Sequence, residues 1–377
     1  MIFLIIKKEK IKILLLIIFS SFIFSGCWDK FEPEERGFVT AMGIDKTKNS
    51  EFNISVEVPA VNIFEEEGGK EMGSDKESEN SYVESYTDST VWSAVKAIDS
   101  RTERKLDFGQ IKLCVLGEDI LKDKEMTKQA VDAVERNKDI WRKVIVCSAK
   151  GNAEEILKGY VGDKKTAGFF ADAFFNNNKK STDFTFKKTL QDLLSDLSAS
   201  GETILPVVEI KDGEIIFNGM AVVKDYTLVG YCGSDIIKGY NIVKEDIMET
   251  DIVTNLNGVN VPLKVNKKNT DIEFKEEDGK VICIVNVEIE GDVEEYGNGA
   301  APVSELEKCY NDTVSEQIKN SFDFFKNELE VDVLKLSEYC RKKNNDLYKK
   351  FGEENIFKDM ELSENINVII KGTGTIN

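Results

Sequence analysis

The residues able to do chemistry are abundant in one class and missing in another. The chain of 377 residues holds 69 aspartates and glutamates, seven cysteines and no histidine. Without histidine, the commonest general base, the usual partner of a nucleophilic serine or cysteine, and the commonest zinc ligand are all absent. Carboxylate-only chemistry of the glycosidase kind stays formally open. With so many acidic residues, however, two carboxylates at a useful spacing are expected by chance. The sharper acidic candidate is a calcium site in residues 65–82, which begin Glu65-Glu66-Glu67-Gly68-Gly69. That stretch does not match the D-x-[DN]-x-[DN]-G loop, and it lacks the apolar residues that would offset ordering entropy. It reads as a solvated acidic loop. No catalytic residue, metal ligand or cofactor site is assigned, and the chain is not expected to be an enzyme.

One thiol stands apart by its position. Residues 1–12 carry Lys7, Lys8, Lys10 and Lys12 against a single Glu9, and an apolar run from Ile13 to Phe19 follows. Apolar character resumes at Phe22-Ile23-Phe24 and ends at Ser25-Gly26-Cys27. A basic segment, a short apolar segment and a small-residue cleavage site make a secretory signal. The apolar part is shorter than the roughly 20 residues that a membrane span needs. Phe24-Ser25-Gly26-Cys27 resembles a bacterial lipobox, with Phe24 where Leu is usual. The expectation is cleavage after Gly26 and a diacylglyceryl (palmitate-type) and N-acyl modification of Cys27. Two or more acyl chains, at about 0.8 kcal/mol per buried CH₂, give stable anchoring. Residues 27–36 would then be a lipidated polar tether.

Loss of residues 1–26 removes four lysines and one glutamate, so a net charge of −19 becomes −22. Such a chain is repelled by phosphate backbones, which argues against nucleic-acid partners. Of the remaining cysteines, most sit in apolar runs such as Leu113-Cys114-Val115 and Ile282-Cys283-Ile284, and none form a C-x-x-C pair. They read as small buried hydrophobes, with disulfide pairing left open.

The elements that would position any site follow from periodicity. Val39 to Ile44 and Phe52 to Val58 alternate as strands. After the acidic loop, helices at 89–99, 125–136 and 153–158, the last with Asn152 as its expected cap, alternate with strands at 110–117 and 143–149. Helices at 166–175 and 186–199 follow, the first rich in phenylalanine and the second carrying Leu190, Leu193, Leu194 and Leu197 on one face. From Thr203 the chain turns to hairpins at 204–210, 215–223 and 227–231, then strands around Asp278-Gly279. A helix over 304–330 carries an apolar stripe from Leu306 to Leu329, and a strand over 366–370 closes the chain. The reading is a mixed α/β protein of several subdomains. A helix-rich sheet domain would span 37–202, and a hairpin-rich sheet packed on the long helix would span 203–377.

Several stretches, in order, resemble the Ger(x)C lipoproteins, the C subunits of GerA-type spore germinant receptors. These are Cys27-Trp28-Asp29-Lys30, Val39 to Asp45, Arg104 to Gln110, Glu135 to Arg142, Phe217 to Val222, Leu228 to Tyr231 and Glu330 to Val333. Leu334-Lys335-Leu336-Ser337 stands where many relatives carry a Phe-Gly-rich turn. The resemblance implies a non-enzymatic, lipid-anchored subunit on the outer surface of the inner spore membrane. Its partners would be the integral-membrane A and B subunits, with nutrient bound by the transporter-like B subunit and no direct small-molecule ligand on this chain. The alternative is the solute-binding lipoprotein of an ABC-type importer, which normally has two similar lobes where this chain has dissimilar halves. A carboxylate-dependent cell-wall hydrolase is the third class considered.

Overall fold

A computed structural model of the protein describes residues 35–60, 81–159, 166–177, 184–244, 251–295, 302–352 and 356–372. Among the described residues, the larger sheet has eight strands. β2 (Ala41–Lys46), β6 (Leu113–Leu116), β7 (Ile145–Ala149) and β8 (Glu202–Lys211) run parallel through its centre. Antiparallel strands flank them, β3 (Phe52–Pro59) and β4 (Ser81–Asp88) on one side and β9 (Glu214–Lys224) and β10 (Thr227–Cys232) on the other. A separate short parallel pair, β1 (Arg36–Phe38) with β5 (Lys105–Asp107), lies where the described chain begins.

β6 and β7 are buried along their whole length because helices cover both faces of the sheet. The strand period of two sorts their side chains. Cys114, Leu116 and Val146 join one core with helices α1 (Val91–Asp99), α2 (Glu118–Leu121), α3 (Lys124–Arg136) and α6 (Leu190–Ala199). Leu113, Val115, Ile145 and Cys147 join the other with α4 (Ala153–Lys158) and α5 (Ala167–Asn177).

The hairpins after Gly201 continue this sheet: Val207 and Val208 of β8 pair with Ser148 and Ala149 of β7. The boundary expected between 202 and 203 therefore falls inside one sheet. The change of character there is real, but it marks a change from crossovers to hairpins and leaves the hydrogen-bonded layer unbroken.

The second sheet has four strands in the order β11 (Asp251–Leu256), β12 (Val259–Glu277), β13 (Lys280–Val293), β14 (Met360–Gly372), the last parallel to β13. Asp278 and Gly279 have φ of 51° and 76°, the double left-handed turn that closes a tight hairpin. Across the sheet lies α8 (Val303–Asp323), with Leu306, Tyr310, Val314, Ile318 and Phe322 buried on one stripe. The helix expected to reach 330 widens into a π turn over Phe324–Glu328, which leaves Phe325 fully buried. Past that turn Leu329 lies against Gly230 of β10. α7 (Ser234–Lys244), α9 (Leu336–Lys343) and α10 (Asn345–Phe351) are the remaining helices among the described residues. The core of this half takes in Ile204, Met220 and Val222 of the larger sheet, so the two halves share apolar packing.

Candidate functional site

Cys27, the single site residue expected from sequence, and its cleavage site lie outside the described residues, as do residues 65–80 of the acidic loop. The described residues begin at Glu35, beside a groove of about 510 Å³ next to β1 and β5. Arg36 pairs with Asp107 at 2.5 Å, and the other oxygen of Asp107 accepts the Gly109 N–H at 2.8 Å. Asp99 accepts the Leu106 N–H at 2.8 Å and so fixes β5 to the end of α1. Beneath, Phe108 packs edge-on against Trp92 (5.4 Å between centroids), whose indole N–H donates to the Ala133 carbonyl at 2.8 Å. Lys138, Asp139 and Trp141 also line the groove. Two stretches read separately in the sequence, Arg104–Gln110 and Glu135–Arg142, thus meet at the first described residues of the chain.

A second polar cluster joins the two halves. Asp196 of α6 accepts from Lys188, from Lys335 and, at 2.9 Å, from the Thr203 hydroxyl. Burial alone would raise this carboxyl; the two lysines hold it below the ordinary carboxylate range. Asp332 accepts the N–H groups of Leu336 and Ser337, both at 2.8 Å, and thereby caps α9. Its own N–H donates to Glu202 of β8 at 2.7 Å. Burial pushes Asp332 up to about 6, while burial and the nearby Lys335 bring Lys244 down to about 8. Lys224 of β9 reaches the Glu330 carbonyl at 2.6 Å. A cleft of about 720 Å³ runs alongside, lined by charged groups of both signs.

Two further carboxylates are buried as helix anchors. Asp45 of β2 accepts the Ala153 and Glu154 N–H groups at 2.7 and 2.9 Å, so it caps α4 where Asn152 was expected to. Glu57 of β3 accepts the Ala167 and Gly168 N–H groups at 2.7 and 3.0 Å and the Thr40 hydroxyl at 2.8 Å. Burial raises both carboxyls. Gly168 is required here, because a Cβ would sit 2.3 Å from the Thr40 carbonyl oxygen. Among the described residues, no group of three or more Asp, Glu or Cys side chains is close enough to hold a metal ion. Burial pushes Cys114 and Cys232 up to about 12, far from a reactive thiolate.

Comparison with known proteins covers the chain nearly end to end. Residues 29–210 match the model of the spore germination protein N-terminal domain, and residues 218–374 match the model described as spore germination B3/GerAC like, C-terminal. The chain belongs to the spore germination B3/GerAC-like family. It is 20% identical over 380 residues to spore germination protein B3 of Bacillus subtilis (strain 168), covering 93% of this chain and 95% of that one. Spore germination protein KC of the same organism is 26% identical over 208 residues, covering 53% of this chain and 48% of that protein. The crystal structure of the GerBC protein superposes with a TM-score of 0.56 at 16% identity, over 88% of this chain and 96% of that chain, and so shares the fold.

In this spore germination protein, the stretch Glu330–Val333 falls at the junction and Gly230 of the stretch Leu228–Tyr231 lies against Leu329, so both stretches reach the contact between halves. Sequence reasoning missed Asp45, Glu57, Asp196 and Asp332. Nothing local marked them: Glu57 in Ser55-Val56-Glu57-Val58 reads as the polar member of an alternating strand. Among the described residues, no helix is long and apolar enough to cross a membrane.

Proposed function

We propose that this chain is the lipid-anchored, non-enzymatic C subunit of a spore germinant receptor. It is held through acylated Cys27 on the outer surface of the inner spore membrane, beside integral-membrane A and B subunits. There it supports receptor assembly and nutrient-triggered germination. The observation that carries the reading is the match of both halves, in order, to spore germination models. The buried carboxylates fit it: each is spent on a helix N-terminus or on an ion pair between the halves, which suits a rigid transmitting body.

The cleft at the junction favours a second reading, the solute-binding lipoprotein of an importer, since ligands often bind between lobes. A thermal-shift screen of the detergent-solubilised chain with amino acids, nucleosides and sugars separates the two. Ligand at 100-fold over its dissociation constant stabilises a binding protein by about 2.7 kcal/mol. The receptor reading expects no saturable shift, and a shift confirmed by calorimetry would overturn it.

A further inference from the structure

The groove where the tether ends carries an exposed indole that the fold does not use. Trp141 is 68% exposed, more than any other large apolar side chain among the described residues. It is also firmly placed. Ile140 before it is buried, the Trp141 carbonyl accepts the Val144 N–H at 3.0 Å, and the Arg142 carbonyl accepts the Gln191 N–H at 2.9 Å. The indole therefore projects from a pinned turn.

The sheet sets which neighbours share that edge. Ala41, Leu113 and Ile145 are in register across β2, β6 and β7, which run parallel, so the segments entering these strands emerge side by side. Those segments bring Arg36, Lys105, Lys138 and Trp141 to one groove, with Arg142 and Lys143 directly after the indole. The five cations meet four carboxylates there: Asp107 and Asp139 in the groove, Glu35 beside Arg36, and Glu135 paired with Arg142 at 3.1 Å. The local balance is positive on a chain of net charge −19.

We infer that this edge rests on the bilayer, with Trp141 seated in the headgroup layer and the cations against anionic lipid. The inference rests on the anchoring at Cys27 proposed above. Arg36 follows Cys27 by nine residue steps, which reach about 30 Å at most when fully extended, so the groove is the part of the body tied closest to the acyl chains. Trp is the residue type that favours the membrane–water interface, an apolar body with a polar N–H. Cations beside it gain from the negative surface potential of anionic lipid, an effect that fades within a Debye length and so needs this closeness.

The test uses the full lipidated chain incorporated in vesicles of phosphatidylcholine and phosphatidylglycerol, with or without a nitroxide lipid labelled near the headgroup. Trp28→Phe removes the indole next to the anchor. Comparing Trp28→Phe with Trp28→Phe/Trp141→Phe isolates the emission of Trp141, because the indole of Trp92, bonded to Ala133, is common to both. The expected result is flotation of both variants with the vesicles and a Trp141 component that is blue-shifted and loses most of its intensity to the nitroxide. Flotation with an unquenched, red-emitting Trp141 overturns the orientation and leaves the anchoring intact. Failure of both variants to float overturns the anchoring and the orientation together. Shielding of Trp141 only after the two membrane subunits are added identifies a protein seat and overturns the lipid contact.

Discussion

In the eight-stranded sheet, α4 and α5 are six and eleven residues long, and each is fixed at its N-terminus by a carboxylate from a strand more than a hundred residues earlier. In the four-stranded sheet, α8 runs for 21 residues and lies on its strands through an apolar stripe from Leu306 to Phe322. An apolar stripe gains free energy with buried area and tolerates small sliding, so it suits a long helix. A short helix has little area to bury, and a buried carboxylate that accepts two N–H groups specifies its position instead, at the cost of desolvating a charge. The difference teaches that α8 is held by area while α4 and α5 are registered by polar contacts, with the Asp196 and Asp332 cluster of the second kind joining the two halves.

The strongest way to break this comparison is to truncate the stripe. Phe322→Ala, at a side chain 3% exposed, should cost about 3–5 kcal/mol. Lys319→Ala, on the exposed face, should change the urea midpoint little. Similar losses at the two positions, measured by chemical denaturation, would mean that α8 is not held by its stripe.

A smaller effect is expected at the carboxylate anchor. Glu57→Ala leaves the Ala167 and Gly168 N–H groups and the Thr40 hydroxyl without their acceptor. A loss of about 2–3 kcal/mol should follow, with Glu57→Gln losing less because one carbonyl acceptor remains. Hydrogen exchange should show the amides of α5 opening first. Unchanged protection of α5 in Glu57→Ala would remove the carboxylate from the account.

The junction gives a pH test. Asp332 holds its proton to about pH 6 in the folded chain against an ordinary value of 3.8, so the native state binds the extra proton between those values. Stability then falls as pH rises through that window, by up to about 3 kcal/mol from this group. Glu202, Asp196, Lys244 and Lys335 face the same cluster and remain in the variant. Asp332→Asn should therefore flatten the slope between pH 4 and 6 relative to the parent, read from denaturation midpoints at a series of pH values. An identical slope in both would show that Asp332 does not titrate there.

The parts of the fold that were legible are those held by area. The stripes of α1, α3, α6 and α8 and the alternation of β3, β9 and β13 can be read from local periods. β4 was taken as loop up to Tyr82, because as the edge strand it has no fully buried residue and no apolar alternation. α7 was missed because its buried set includes Gly239 and Asn241 as well as apolar residues, which blurs the stripe. The polar registers were not legible at all. Asp45 and Ala153 are 108 residues apart, and nothing local marks the pair. The stretches Arg104–Gln110 and Glu135–Arg142 were singled out as resemblances, but only parallel pairing of β6 and β7 brings them together.

We propose that this spore germination protein serves as a lipid-anchored receptor subunit. The direct measurement replaces Cys27 with Ala in the host spore-former and follows membrane retention and nutrient-triggered germination together. The account predicts an uncut precursor or a chain that washes from membranes, with a nutrient response reduced to that of spores lacking the protein. A Cys27→Ala chain that matures normally, stays with the membrane and supports a full nutrient response would contradict it.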